Sequence, residues 1–168
     1  MQEKVVMVSI VIPLYNEEDN VDSYEADFFP VIDKIAKEYN MTFDFIFVND
    51  GSKDRTLERI TAIAARRKDV RVLDHRKNQG MGAALKTGFA QTDADLIITM
   101  DSDLTFRPED IPVLLAAYAR DHPDCVSGSP YLEAGLMEEV TPMRLFFSKS
   151  VNFMYRILLR QPITCVSP

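Results

Sequence analysis

Val8-Ser9-Ile10-Val11-Ile12-Pro13-Leu14-Tyr15-Asn16-Glu17 is an apolar run that ends abruptly in polar turn residues. A run of this kind, without alternation, reads as a strand buried on both faces. The same phrase recurs downstream. Residues 43–49 (Phe-Asp-Phe-Ile-Phe-Val-Asn) lead into Asp50-Gly51-Ser52, and residues 95–100 (Asp-Leu-Ile-Ile-Thr-Met) lead into Asp101-Ser102-Asp103. Residues 70–74 form a shorter strand, and residues 125–128 are expected as a fifth. Between them lie helical stretches: 17–39, with a break or kink at Pro30; 54–67, with Leu57, Ile60, Ile63 and Ala64 on one face; 82–91; and 108–120, opened by Pro108. Strands separated by single helices imply right-handed βαβ units and a mainly parallel sheet, a Rossmann-like three-layer α/β/α fold. Ligands collect at the carboxyl ends of such strands. Three polar clusters sit at those ends and converge on one sheet edge.

Composition narrows the function. The chain has 168 residues, a net charge of −7 and 46% hydrophobic residues, which fits one globular domain and speaks against a nucleic-acid binder. Cys125 and Cys165 lack metal-ligand spacing and read as free thiols of a reducing compartment. The N-terminus does not read as a signal peptide, and no stretch reaches the ~18 apolar residues of a membrane span. Charge is unevenly placed: residues 1–140 sum to −11, whereas residues 141–168 carry Arg144, Lys149, Arg156 and Arg160 without an acid and sum to +4. Residues 1–140 are read as a ligand-binding core, and 141–168 as a basic amphipathic helix belonging to the same domain.

Asp101 and Asp103 lie two apart in an extended segment, so both carboxylates can face one site. Two hard oxygens suit Mg²⁺ or Mn²⁺ completed by substrate phosphates. The pair also fits turn acids capping the helix near Pro108. It fits, too, the nucleophile motif of haloacid-dehalogenase-like phosphatases, although the 65 residues after Asp103 hold only Lys149 and no acidic pair at a strand end. Asp50 can accept from the N–H or hydroxyl of a base or ribose; Ser52 or Asp54 caps the next helix. Glu17 either faces a nucleotide or occupies a plain first helical turn. Asn78-Gln79-Gly80-Met81-Gly82-Ala83-Ala84 is a small-residue loop opening a helix, suited to close backbone approach and to anions. It is not a Walker A loop, because Leu85 stands where Gly would precede Lys86-Thr87. His75 and His122 read as loop or surface residues.

Together, Ile-Val-Ile-Pro-Leu-Tyr-Asn-Glu-Glu, Val-Asn-Asp-Gly-Ser-Lys-Asp-Arg-Thr, Asn-Gln-Gly-Met-Gly-Ala-Ala and Met-Asp-Ser-Asp-Leu resemble family 2 glycosyltransferases of the GT-A fold, in order and spacing over residues 8–130. The closest likeness is to dolichol- or polyprenyl-phosphate hexose synthases, including Pro108-Glu109 after the acidic motif. The resemblance implies a nucleotide-binding set: Pro13, Tyr15 and Glu17 bordering base and ribose, Asp50 holding the base, and Gly80, Gly82 and Lys86 lining the pocket. It implies Asp101, Ser102 and Asp103 at the sugar diphosphate, with Asp101 and Asp103 as the catalytic metal clamp for Mg²⁺ or Mn²⁺. The implied reaction is inverting transfer of a hexose from a nucleotide diphosphate sugar, of GDP-mannose or UDP-glucose type, to a polyprenyl or dolichyl phosphate at the cytoplasmic face of a membrane. Asn49 departs from the family's first Asp. Relatives continue with acceptor-binding segments where Thr164-Cys165-Val166-Ser167 stands, so the chain is expected to be C-terminally truncated. A glycan or other hydroxyl acceptor, or a nucleotide-sugar-binding fragment without catalysis, are the alternatives.

Residues from Thr141-Pro142 to about Arg160 read as a helix with Arg144, Ser148, Asn152, Arg156 and Arg160 in one polar stripe. Leu145, Phe146, Phe147, Phe153, Met154, Ile157 and Leu158 cover the rest. It suits either a membrane interface, with Arg144 and Lys149 near a lipid phosphate, or a core helix with a solvated edge. No general base is evident; a phosphate acceptor, largely dianionic at neutral pH, needs none.

Overall fold

The structure is a computed structural model that describes residues 5–129 and 142–160. Strands β1 (Val6–Leu14), β2 (Met41–Asn49), β3 (Val70–Asp74) and β4 (Leu96–Thr99) form one sheet in the order β3-β2-β1-β4. Every pairing is parallel. In β1 and β2 the continuous apolar runs are explained by burial on both faces, since Ile10, Val11, Ile12, Ile46, Phe47 and Val48 are fully enclosed, whereas the edge strand β4 leaves Ile97 43% exposed. Helices α1 (Val21–Ser23), α2 (Phe29–Tyr39), α3 (Thr56–Arg66), α4 (Met81–Phe89), α5 (Ile111–Asp121) and α6 (Pro142–Leu159) complete the described elements, with a 3₁₀ turn at Pro108–Asp110 before α5.

Alternation along β2 separates the layers. Ile46 and Val48 point to one face, where they meet Val11 and Ala84 with Leu73 and Leu85 beside them. Gly88 lets α4 sit this low, because a Cβ there would press into Val11 Cγ1. Phe45 and Phe47 point to the other face and join Tyr24, Phe28 and Phe29, with ring centroids 4.9–6.5 Å apart. The Arg67 guanidinium covers this cluster, 4.3 Å from the Phe29 ring centre. The result is the expected α/β/α layering. Ser9, fully buried in β1, bonds Asp44 and lies 2.6 Å from the Thr92 hydroxyl, while Arg71 closes on Asp44 from outside. A polar residue is thus satisfied inside an apolar strand.

Two expectations need correction. The irregularity in the first helix is not at Pro30. A π-turn spans Tyr24–Phe28 between α1 and α2, and Pro30 follows it at the start of α2, within a helical run that continues from residue 21 to residue 39. Residues 125–128 form no strand. Only Val126 among Cys-Val-Ser-Gly is β-branched, and so short a segment without a pairing partner does not hold an extended ladder.

The chain divides into two compact units, Met1–Ile111 and Pro112–Pro168. The sheet and the three polar clusters belong to the first. In the second, α6 carries Phe147, Phe153, Ile157 and Leu158, each at least 60% exposed, while Asn152 is 7% exposed. The stripe expected to be polar and solvated therefore turns inward at Asn152, and the apolar face looks outward. Thr164-Cys165-Val166-Ser167 lies outside the described residues, as does the Arg144 side chain.

Candidate nucleotide and metal site

Parallel register places Leu14, Asn49 and Asp74 side by side. The segments that leave them, 15–17, 50–52 and 75 onward, therefore emerge at one edge. The Met100 N–H donates to Val11 O at 3.2 Å, which brings Asp101 to the same edge. There the loops are laced together. Asp50 N–H donates to Leu14 O (2.8 Å), Asn16 N–H to the Ser52 hydroxyl (3.0 Å), Lys53 N–H to the Asn16 side-chain Oδ1 (2.8 Å), and Glu17 N–H to the Thr56 hydroxyl (2.8 Å). Ser52 thus ties two loops rather than capping α3. Asp54 takes the capping role, accepting from Thr56 N–H at 3.0 Å and from Glu18 N–H at 3.2 Å. Asn49 donates to Asp74 at 2.6 Å while accepting from Ser52 N–H, so its amide works as a two-sided brace that a carboxylate, which only accepts, could not be.

Asp50 is 3% exposed. Its Oδ1 accepts from the Gln79 N–H (2.9 Å) and meets His75 Nδ1 at 2.7 Å; its Oδ2 accepts from the Gly80 N–H (2.7 Å). Burial opposes the charge, but the bonds from His75, Gln79 and Gly80 outweigh it and hold the carboxyl below its usual range. The loop before α4 is therefore gripped from beneath, and the N–H groups of Gln79 and Gly80 are committed to Asp50. Gly80 needs its flexibility at φ +91°, whereas a Cβ at Gly82 would meet no atom of the chain. His75 is not a surface residue; its side chain is 9% exposed and bonded at both ring nitrogens. Its signal in the sequence was its place one residue beyond a strand end.

Asp101 and Ser102 are half-buried and Asp103 is exposed. Burial, and then the neighbouring Asp103 charge, push the Asp101 carboxyl above the ordinary range. Asp103 Oδ1 accepts from Thr105 N–H at 2.9 Å, tightening the turn, and Leu104 is left-handed at φ +54°. Beneath the turn, the Tyr24 hydroxyl donates to Ser102 O at 2.7 Å. Tyr24 is fully buried, and burial followed by Glu17, Asp103 and Asp101 raises its pKa. The charges of all three acids therefore reach one phenol. No sequence pattern pointed to Tyr24, which is aimed by the π-turn, a feature common at functional sites. A cavity of about 540 Å³ opens beside Asp103 and includes Asp27, Arg107 and Glu109 in its wall.

The remaining expected positions are more scattered. Pro13 is half-buried opposite Val48, Tyr15 is 40% exposed, and Glu17 is half-buried with its carboxylate accepting from the Asn20 amide at 2.6 Å. Lys86 stands exposed on α4, and Lys149 stands exposed on α6, in the other unit. Among the described residues no group of three or more His, Cys, Asp or Glu forms a ready metal cage. Two carboxylates nevertheless fit a hard cation that takes its other oxygens from substrate phosphates, and the mutual strain of Asp101 and Asp103 is what such a cation relieves.

Tyr24→Phe keeps the ring in its aromatic cluster and removes only the bond to Ser102. Expected are a stability loss of about 1 kcal/mol in thermal melts and, if the turn holds a cation, Mn²⁺ affinity lower by roughly 10-fold.

A parallel sheet with loop-borne acids and a braced glycine loop at its carboxyl edge defines a GT-A-type α/β protein. Residues 9–167 match glycosyl transferase family 2, and the chain belongs to that family. Membership displaces the phosphatase reading of Asp101. The chain is 32% identical to the dolichol-phosphate mannosyltransferase of Pyrococcus furiosus over 152 residues, covering 90% of the chain and 41% of that protein. It is 37% identical over 115 residues to the undecaprenyl-phosphate 4-deoxy-4-formamido-L-arabinose transferase of Edwardsiella ictaluri, covering 67% of the chain and 34% of that protein. The chain thus spans well under half the length of these relatives. Among solved structures it resembles S. aureus TarS 1-349 in complex with UDP (TM-score 0.54, 21% identity, 76% of this chain and 40% of that one). It also resembles the mannosyltransferase PcManGT of Pyrobaculum calidifontis in complex with GDP-Man and Mn²⁺ (TM-score 0.54, 18% identity, 77% of this chain and 38% of that one). At these identities the likeness is one of fold.

Proposed function

We propose that this chain is the donor-binding part of an inverting glycosyltransferase that moves a hexose from a nucleoside diphosphate sugar to a polyprenyl phosphate. The observation that carries the reading is the single sheet edge on which Asp101 and Asp103, Glu17 and the Asp50-braced loop lie together. In this reading Asp101 and Asp103 hold Mg²⁺ or Mn²⁺, Ser102 lies against the diphosphate, and Pro13, Tyr15, Glu17, Gly80, Gly82 and Lys86 border the nucleotide. Asp50 serves the base either directly or through the loop it grips. A cation held by Asp101 and Asp103 would supply positive charge to offset the charge developing on the departing diphosphate.

The acceptor class is supported by the two curated relatives, whose names place them on dolichol phosphate and undecaprenyl phosphate. A phosphate dianion needs no catalytic base, because it is already a nucleophile near neutral pH. Helix α6 supports a site at the cytoplasmic membrane face: its exposed apolar residues can enter the interface, with Lys149 and Arg144 near lipid phosphate. No helix among the described residues is long and apolar enough to cross a membrane.

Vesicles containing polyprenyl phosphate, Mn²⁺ and labelled GDP-mannose or UDP-glucose test the assignment. Label extracted with the lipid is the expected result. Label transferred only to a glycan, or released only as free sugar, overturns the acceptor.

A further inference from the structure

His75 is placed by the sheet rather than by chance. Its N–H donates to Asn49 O at 2.9 Å, extending the β2–β3 ladder by one step and setting the imidazole beside Asp50. An ionised carboxylate can only accept, so Nδ1 carries the proton it gives to Asp50 Oδ1 at 2.7 Å. In the neutral ring Nε2 then accepts from the Thr87 hydroxyl, 2.9 Å away. Thr87 lies on α4, the helix that the glycine loop opens. One ring therefore joins the residue that grips the start of the loop to the helix that follows it. With the His75 side chain 9% and the Asp50 side chain 4% exposed, water competes poorly for these bonds.

We infer that His75 is a positioning residue for the donor: by bridging Asp50 and Thr87 it fixes loop 78–82, and so sets nucleotide affinity rather than the rate of chemistry. The inference rests on the donor-binding reading above. It assigns His75 no contact with substrate. Asp50 keeps two donors without it, so the loop loosens rather than collapses.

The test is Mn²⁺-dependent calorimetry with UDP and GDP, together with amide hydrogen exchange on the nucleotide-free protein. His75→Ala is expected to weaken binding about 10-fold, the worth of one buried charge-assisted bond. His75→Asn puts an amide N–H where Nδ1 stood and should return affinity to within about threefold, while Thr87→Val should cost about threefold. Exchange at the Gln79 and Gly80 amides should quicken by roughly tenfold in His75→Ala, with Ile10 and Phe47 in the core unchanged. In transfer assays the donor KM should rise about tenfold with kcat held within about twofold. Should His75→Ala not fold, the asparagine and valine variants carry the same comparison. Wild-type protein that binds neither nucleotide overturns the donor-binding reading itself. Wild-type binding with His75→Ala equally tight, no rescue by asparagine, or unchanged exchange at Gln79 and Gly80 overturns the role of His75.

Discussion

Alanine at Asp101 or at Asp103 is expected to lower Mn²⁺-dependent affinity for UDP or GDP by about 100-fold or more, the loss that follows when one of the two carboxylates proposed to hold a hard cation is removed. The two carboxylates are held by different means. Asp101 is half-buried at the end of β4, and Asp103 is exposed with one oxygen bonded to Thr105 N–H. Burial and the Asp103 charge raise the Asp101 pKa, so the charged pair works against the fold until a cation neutralises it. The sign follows from linkage. A carboxyl whose folded pKa is raised gives stability that is fully present below its unfolded value, near 4, and is lost as pH rises through the folded pKa. Metal-free wild type therefore loses this contribution on moving from acid towards neutral pH, and Asp101→Asn does not. Adding Mn²⁺ at pH 7 raises the melting temperature of wild type and leaves that of Asp101→Ala unchanged. Calorimetry that shows both alanine variants binding Mn²⁺–nucleotide as tightly as wild type would remove the cation from this turn.

The parts of this molecule that were legible in its sequence are those fixed by short-range periodicity. An apolar run of four to seven residues that ends in Asn, Asp or Glu marks a parallel strand, buried on both faces in β1 and β2 but open on one side in the edge strand β4, where Ile97 is 43% exposed, together with the carboxyl edge of the sheet. Thus β1, β2 and β4 announced both the sheet and the residues 15–17, 50–52 and 101–103. What stayed hidden depends on contacts between distant segments. Tyr24 reaches Ser102 across 78 positions, and only the π-turn, which no residue pattern specifies, aims it there. His75 looked like a loop residue because its partners Asp50 and Thr87 come from β2's end and from α4. The outward apolar face of α6 was ambiguous for the opposite reason. Its periodicity is clear, but a helical wheel does not say which side is covered, and the structure puts Asn152 on the covered side.

Gly51→Ala is expected to be the most destabilising single methyl added at this edge. Gly51 has φ +70°, and its missing Cβ would lie 2.5 Å from Asn78 N and 2.6 Å from Lys77 Cα. Those are backbone atoms, so no flexible side chain can swing aside. The left-handed conformation alone costs about 1 kcal/mol for alanine. Relieving the clash must also move residues 77 and 78, which lead directly into Gln79 and Gly80, whose N–H groups are bonded to the buried Asp50 carboxylate. Weakening two charge-assisted bonds adds about 2–3 kcal/mol, for a total of roughly 3–4 kcal/mol and a fall in Tm of about 10 °C in a chain of this size. Because the displaced loop is the one proposed to face the donor, nucleotide affinity should fall with it. Gly82→Ala separates the two effects. Its Cβ meets nothing in the chain and it lies inside α4, so alanine there should leave Tm unchanged or slightly raised through helix propensity. Only donor binding should suffer, in proportion to how closely the nucleotide approaches that backbone. A Gly51→Ala protein melting within about 2 °C of wild type would mean that loop 77–80 is not seated on Gly51, and the brace through Asp50 would then lose its structural basis.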